Sequence, residues 1–395
     1  MKNIITTFSI FFLVLGIGCN QSPQKQGKRS NQTKQPEKGG TSTHAATYKN
    51  LQVFFINRQK TPDNASYLPL AEAMEKGIAK VNETGEVSNL SIENLSDDQY
   101  VFVNAGDIVK GGKQDRYLVN SLIVPPKSGK VNLASFCVEA GRWAQRGNES
   151  TAKFSSSYNM ASSGQLRLAA QYYKNQSVVW NQVAQHRVML NVATMTPTQR
   201  SALNALPSSP ESTGSPLVAT TQAGGVPLSA DPSQTSIDPA TGLPLANGES
   251  TSLQLALENP KVKEQTQAYV SELTTTMAEQ SNPVGAVFAI NGKVVSADIY
   301  GNSSLFKSLW PKLINGAAAE AMAKFDDKQD VKNLNEADFK GFLSNETQDN
   351  PSSKKLNDQT QLTTTKGNRH ILFETHDERS KGQWIHRSYL ATPKK

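Results

Sequence analysis

Cysteine is almost missing from this chain of 395 residues: only Cys19 and Cys137 occur. A disulfide-stapled miniprotein is therefore excluded. Apart from one short N-terminal segment there is no long hydrophobic run, which excludes a polytopic membrane protein. The composition also excludes a collagen-like or coiled-coil rod. Aromatic residues make up 7% and charged residues 19%, against 37% hydrophobic residues, enough for a core in a chain that is polar for its length. Unfolded stretches are expected beside that core. No Gly-x-Ser-x-Gly elbow, Cys-x-x-Cys pair or His-Glu-x-x-His signature occurs.

The net charge of +7 suggests nucleic acid until it is partitioned. Residues 1–46 hold +5 of it, through Lys2 and the basic residues from Lys25 to Lys38, leaving +2 for residues 47–395. A near-neutral body lacks the basic stripe that displaces counterions from a phosphate backbone, so no nucleic-acid partner is expected.

The N-terminus carries Lys2 and then an apolar run from Ile4 to Ile17, too short for a comfortable span. It ends at Gly16-Ile17-Gly18-Cys19 and resembles a bacterial lipoprotein signal, cleaved before Cys19 and lipidated there. Gly16 stands where such signals usually have Leu. The resemblance implies palmitate-type acylation, a bilayer as partner and a cell-envelope location facing the periplasm or exterior. Residues 20–46 have the composition of a solvated tether with a reach of roughly 30 Å.

Residues 47–195 read as a first structured block. Leu51–Ile56 is strand-like, Leu68–Val81 has helical spacing, and Leu90–Glu93, Tyr100–Val103, Tyr117–Val124 and Val131–Val138 read as strands at short, antiparallel spacing. Leu166–Leu190 reads as a helix in two pieces. Residues 196–252 hold eight prolines, five charges and no aromatic residue, and are expected to be a disordered insertion. The second block, 253–395, begins with a helix around Val262–Met277. Val284–Ile290 and Lys293–Ile299 flank Asn291-Gly292, the strongest hairpin signal in the chain, because a type I′ turn needs two positive φ angles. Leu305–Phe325 is helix-like around Pro311, residues 326–365 show little order, and Arg369–Thr375 with Gln383–Leu390 form a last hairpin. The fold class expected is α+β, mainly antiparallel sheets with packed helices, from two blocks that pack as one domain.

The densest chemistry lies in Gly106-Asp107-Ile108-Val109-Lys110-Gly111-Gly112-Lys113-Gln114-Asp115-Arg116 and in Cys137-Val138-Glu139-Ala140-Gly141-Arg142-Trp143. In these motifs the chain resembles the ARG and Rhodanese-Phosphatase-superfamily-associated domain family, with further support from Val179-Trp180, Val284–Val287 and Trp310–Ala321. The resemblance covers both blocks. It implies little about activity beyond a hint of nucleotide-derived or phosphorylated ligands. Read physically, Gly111 and Gly112 let the backbone turn sharply, and Lys113, Gln114, Arg116 and Arg142 supply donors for an anion. The bland alternative is a hairpin turn whose Asp115 and Arg116 pair locally and hold the strand ends together.

Cys137 and Glu139 share a strand face, but a carboxylate raises a thiol pKa and no His is nearby in sequence, so a buried Cys with Glu139 paired to Arg142 or Arg116 is the simpler reading. His370, Glu374 and His376 share a face of one strand, and with His386 they would ligate zinc only in a register that sequence does not fix. No metal or cofactor is assigned. The leading expectation is a membrane-tethered binding module for a small anionic ligand. The alternatives are a hydrolase of a phosphorylated or ADP-ribose-like compound, with Glu139, Asp115 or His386 as acid/base, and a structural envelope protein.

Overall fold

A computed structural model describes residues 43–58, 66–161, 163–204, 250–344, 350–380 and 383–393. Cys19, the tether up to residue 42 and residues 205–249 of the expected insertion lie outside the described residues. No described helix is long and apolar enough to cross a membrane.

An eight-stranded, wholly antiparallel sheet forms the backbone of the fold. Its first edge is β1 (Thr43–Tyr48), beside β2 (Leu51–Asn57), so ordered structure starts inside the stretch expected to be tether. The second block supplies the neighbours β12 (Pro283–Ile290) and β13 (Lys293–Tyr300). Next come β17 (Gln383–Ala391), β16 (His370–Asp377), β15 (Thr360–Lys366) and the edge strand β14 (Ser352–Lys355). The β2–β12 pairing joins the two sequence blocks in one sheet, and residues 39–395 form one compact unit. Asn291 and Gly292 have φ of 51° and 69°, the left-handed pair that a type I′ hairpin requires.

Between β2 and β12 the chain builds a second and a third sheet. β3 (Tyr67–Pro69), β6 (Tyr100–Val103) and β9 (Leu122–Val124) form a three-stranded sheet. β4 (Ala79–Glu83), β5 (Asn89–Asn94), β7 (Asp107–Gly111), β8 (Arg116–Leu118), β10 (Val131–Cys137) and β11 (Phe154–Ala161) form a six-stranded one ordered β11-β7-β8-β10-β5-β4. Its two edges meet, because Asn82 bridges to Lys153 and Glu83 N–H donates to the Ala152 carbonyl at 3.1 Å. Val81, Leu90, Ile92, Val109, Leu118, Leu133 and Phe154 pack together with side chains from all three strands of the smaller sheet.

The helices follow from caps and apolar stripes. α1 (Leu70–Glu75) is one short piece of the helix expected over Leu68–Val81: Gly77 takes φ +69° just after it, and the apolar residues beyond, Ala79 and Val81, belong to β4. α2 (Gly164–Leu168) runs on through a π-type turn at Ala169–Tyr173, and the chain restarts as α3 (Gln176–Ala193) after Lys174 at φ 50° and the Asn175 cap. α4 (Pro197–Asn204) occupies the start of the stretch expected to be disordered. α5 (Leu253–Glu258) is capped by Ser252. α6 (Pro260–Ala278) buries Val262, Thr266, Tyr269 and Leu273, the i, i+4, i+7, i+11 stripe of one helix face. α7 (Ser303–Ala323) tolerates Pro311 within it and buries Trp310, whose indole N–H donates to Thr274 Oγ1 at 3.1 Å. α8 (Glu336–Leu343) and strands β14 and β15 stand where little order is expected; a capping box of Asn335 and Asp338 and the buried rings of Phe339 and Phe342 explain the helix. The run Tyr117–Val124 is two strands in different sheets, broken at Ser121, whose side chain is held inside the protein.

Candidate functional site

The two dense motifs fold against each other at the seam where the six-stranded sheet closes. Gly111 and Gly112, at φ +116° and +57°, turn the chain out of β7, and a Cβ on Gly112 would collide with the Phe154 ring and Glu83 Oε2. The turn brings Lys113 N–H to Glu83 Oε2 at 3.2 Å and Gly112 N–H to the Ser150 carbonyl at 2.9 Å. Glycine is needed here for both conformation and space.

Asp115, fully buried, is an acceptor hub. Oδ1 receives Gly111 N–H and Arg146 NH2, each at 2.9 Å, while Oδ2 receives Arg146 NH1 at 2.9 Å and the Ser252 hydroxyl at 2.6 Å. Glu139, also buried, accepts from Arg142 NH2 at 2.7 Å, Arg146 NH1 at 3.1 Å and Asp115 N–H at 3.2 Å. Gln114 donates to the Glu139 carbonyl at 2.8 Å. Arg142 also donates to the carbonyls of Gly111 and Gly112. Arg146 continues to Glu149, and Lys110 reaches Glu258 of α5 at 2.7 Å. Because Ser252 both caps α5 and donates to Asp115, the second block begins docked on the motif of the first.

Arg116 is fully buried, its NH1 donating to Gln114 Oε1 at 3.1 Å and Cys137 Sγ at 2.6 Å. Burial pushes the Cys137 thiol up to about 11, with the Arg116 charge pulling against it and Glu83 and Glu139 adding to it. At neutral pH it is a thiol, not a thiolate. The exposed component is Trp143, a residue 45% accessible, with Lys113 Nζ at 5.0 Å and the Arg116 guanidinium at 5.5 Å from its ring centroid.

The structure thus brings Gly111, Gly112, Lys113, Gln114, Asp115, Arg116, Glu139 and Arg142 into one cluster. Family comparison gives the same frame: the model of the ARG and Rhodanese-Phosphatase-superfamily-associated Protein domain, ARPP-1, matches residues 41–390. The chain belongs to this family. No curated protein and no solved structure matches it. The ARPP-1 match covers both sequence blocks, as the shared sheet requires.

His386 lies apart from the cluster, in a buried polar centre between β13, β17 and α2. Arg167 grips Asp298 with two bonds of 2.7 Å and donates to Ser388 Oγ at 2.6 Å. Burial alone would raise Asp298, but Arg167 and the His386 bond hold it well below the usual carboxylate range. Burial lowers His386, its Asp298 bond opposing this. Its Nε2 is 3.1 Å from Asp298 Oδ1 and its Nδ1 is 2.8 Å from Ser121 Oγ. An ionised Asp298 can only accept, so neutral His386 carries its proton on Nε2, donates it to Asp298 Oδ1 in a hydrogen bond, and accepts from the Ser121 hydroxyl through Nδ1. Nearby, Lys312 Nζ sits 3.0 Å from Asp107 Oδ2, a buried ion pair in which burial raises Asp107 and the lysine charge lowers it.

The zinc arrangement does not form. His370 packs between the rings of Phe342 and Tyr389, Glu374 pairs with Arg387 at 2.7 Å, and His386 takes part in the Ser121–Asp298 chain. No group of three or more metal-ligating side chains occurs among the described residues. Sequence reasoning missed Arg146, Glu83 and Ser252. Ser252 was findable, as an N-cap serine before an apolar run, whereas Glu83 lies 30 residues from its partner Lys113 and carries no local mark.

Proposed function

We propose that this ARPP-1 domain is a membrane-tethered binding module that takes a small anionic, nucleotide- or phosphate-like ligand at the Lys113–Trp143 surface. The single observation that carries the reading is the exposed Trp143 ring beside Lys113, on a loop whose flanking arginines are pinned to buried carboxylates. A stacking face next to a cation suits a ligand with a flat ring and a phosphate. Pinning the loop lowers the ordering cost of binding. The family's name, which records an association with a phosphatase superfamily, supports the same ligand chemistry. The anchor is read from the signal at residues 1–19, with Cys19 as the acylated residue, and the tether from residues 20–46. Metabolic labelling with palmitate, lost in Cys19→Ala, tests that part.

The test of binding is a thermal-shift and calorimetric screen of the full chain against ADP-ribose, ADP and inorganic pyrophosphate. A ligand at a hundred times its Kd is expected to stabilise by about 2.7 kcal/mol, and the shift should vanish in Lys113→Ala/Trp143→Ala. No saturable binding by any of the three overturns the reading.

A second reading, a hydrolase of a phosphorylated or ADP-ribose-like compound, is favoured by the Ser121–His386–Asp298 chain. It pairs a hydroxyl with a base and a carboxylate that orients the base. Turnover that survives Ser121→Ala, or a lack of turnover, removes it.

A further inference from the structure

Arg116 has one guanidinium edge in use and one without a hydrogen bond. NH1 serves Gln114 and Cys137, but Nε and NH2 have no hydrogen-bond partner although the side chain is 0% exposed. Glu83 Oε1 stands 3.5 Å from NH2, close enough for attraction, yet it already accepts from Gly85 N–H, while Oε2 accepts from Lys113 N–H. Glu83 is therefore held by backbone donors and cannot rotate to serve Arg116 without giving them up. A buried guanidinium edge whose one ion-pair partner, Glu83, stands at 3.5 Å and takes none of its hydrogen bonds is costly, and such groups call for an explanation. The Nε–NH2 edge is the pair of near-parallel donors that fits two oxygens of a phosphate or carboxylate.

What lies over Arg116 is the indole of Trp143. Its neighbours in sequence are fixed, Arg142 on Glu139 and Arg146 on Asp115, whereas the ring itself lies beside two cations and is nearly half exposed. The loop can stay anchored while this one side chain turns away.

We propose that the Nε–NH2 edge of Arg116 is the seat for the oxyanion of the ligand, that the Trp143 indole is the lid over it, and that Lys113 Nζ is the second cation the anion meets. This rests on the binding reading above and deepens it by naming the atoms. The ligand class is a phosphate or diphosphate group, bound without any covalent step. Cys137 Sγ touches NH1 of the same guanidinium, so lid opening is expected to expose the thiol as well and make it a reporter of the seat.

The experiment uses the full chain with Cys19→Ala, which leaves Cys137 as the one thiol. Labelling by N-ethylmaleimide, a neutral reagent, is followed with and without inorganic pyrophosphate, alongside calorimetry. Trp143→Ala is expected to speed labelling at least tenfold, and pyrophosphate to slow it again saturably. Arg116→Lys keeps the charge but loses the fork, and should weaken pyrophosphate binding at least tenfold and remove the protection. A labelling rate unchanged in Trp143→Ala overturns the lid, a result that does not depend on Arg116→Lys folding. Saturable pyrophosphate binding that needs Lys113 but is equal in Arg116→Lys and gives no protection overturns the seat and leaves the surface site standing. No pyrophosphate binding in any form overturns both.

Discussion

His186 and His370 are held neutral inside the protein: burial pushes each down to about 4, with Glu320 opposing this for His186 and a Phe342 backbone bond for His370. In the unfolded chain a histidine titrates near 6.5. Between those values the unfolded chain binds more protons, so the stability from these neutral residues is fully present above about pH 6.5, lost as pH falls, and flat below about 4. Urea midpoints should drop from pH 7 towards pH 4.5, and His186→Gln should flatten that slope; an equal slope in the variant would assign the loss elsewhere. Asp298→Ala leaves Arg167 buried without its carboxylate and should cost about 3–5 kcal/mol in urea unfolding. The motif residues Asp115, Glu139 and Arg142 were legible as a charged cluster. Their arrangement was not: the expected local tie of Asp115 to Arg116 is instead Asp115 to Arg146, 31 residues away. Ion pairing is set by distance in space, and a hairpin's sequence does not record which strand closes over it.

At the scale of elements, two glycines carry the sheets. Gly112→Ala forces a left-handed φ and drives a methyl group into the Phe154 ring, while Gly285→Ala sets one 2.6 Å from the Asp298 carbonyl on β13. Each should cost at least about 2 kcal/mol by thermal unfolding, because neither contact relieves without moving backbone or a packed ring. Gly129→Ala, with φ +61° but nothing near its Cβ, should cost only about 1 kcal/mol and serves as the control. The hairpin β12–β13 was readable because Asn291-Gly292 prescribes its own turn. The short α1 was not, because Ala79 and Val81 fit a helix stripe as well as a strand, and pairing with β5 decides. Little marked α8 and β15 in a polar stretch; Phe339 and Phe342 find their apolar partners across the eight-stranded sheet.

The whole molecule depends on residues far apart in the chain. β2 lies between β1 and β12, and Asp115 receives Ser252 across more than a hundred residues. Neither block buries its sheet faces alone, so fragments 1–204 and 250–395 should each lack a cooperative urea transition, and mixing them should restore it by circular dichroism. A cooperative transition in either fragment alone would show an independent domain. The eight-stranded sheet has exposed edges, and Lys354 and Lys355 on β14 place charge on one of them. The sequence by itself determined what local chemistry can write: the family through its motif residues, the α+β class through alternating short runs, the near-neutral body through charge counting, and one hairpin through its turn. Only the tertiary structure decided which carboxylate meets which arginine, that one edge of Arg116 makes no hydrogen bond beneath Trp143, and that His386 joins Ser121 and Asp298, because burial and through-space pairing depend on strand order, which no local pattern carries.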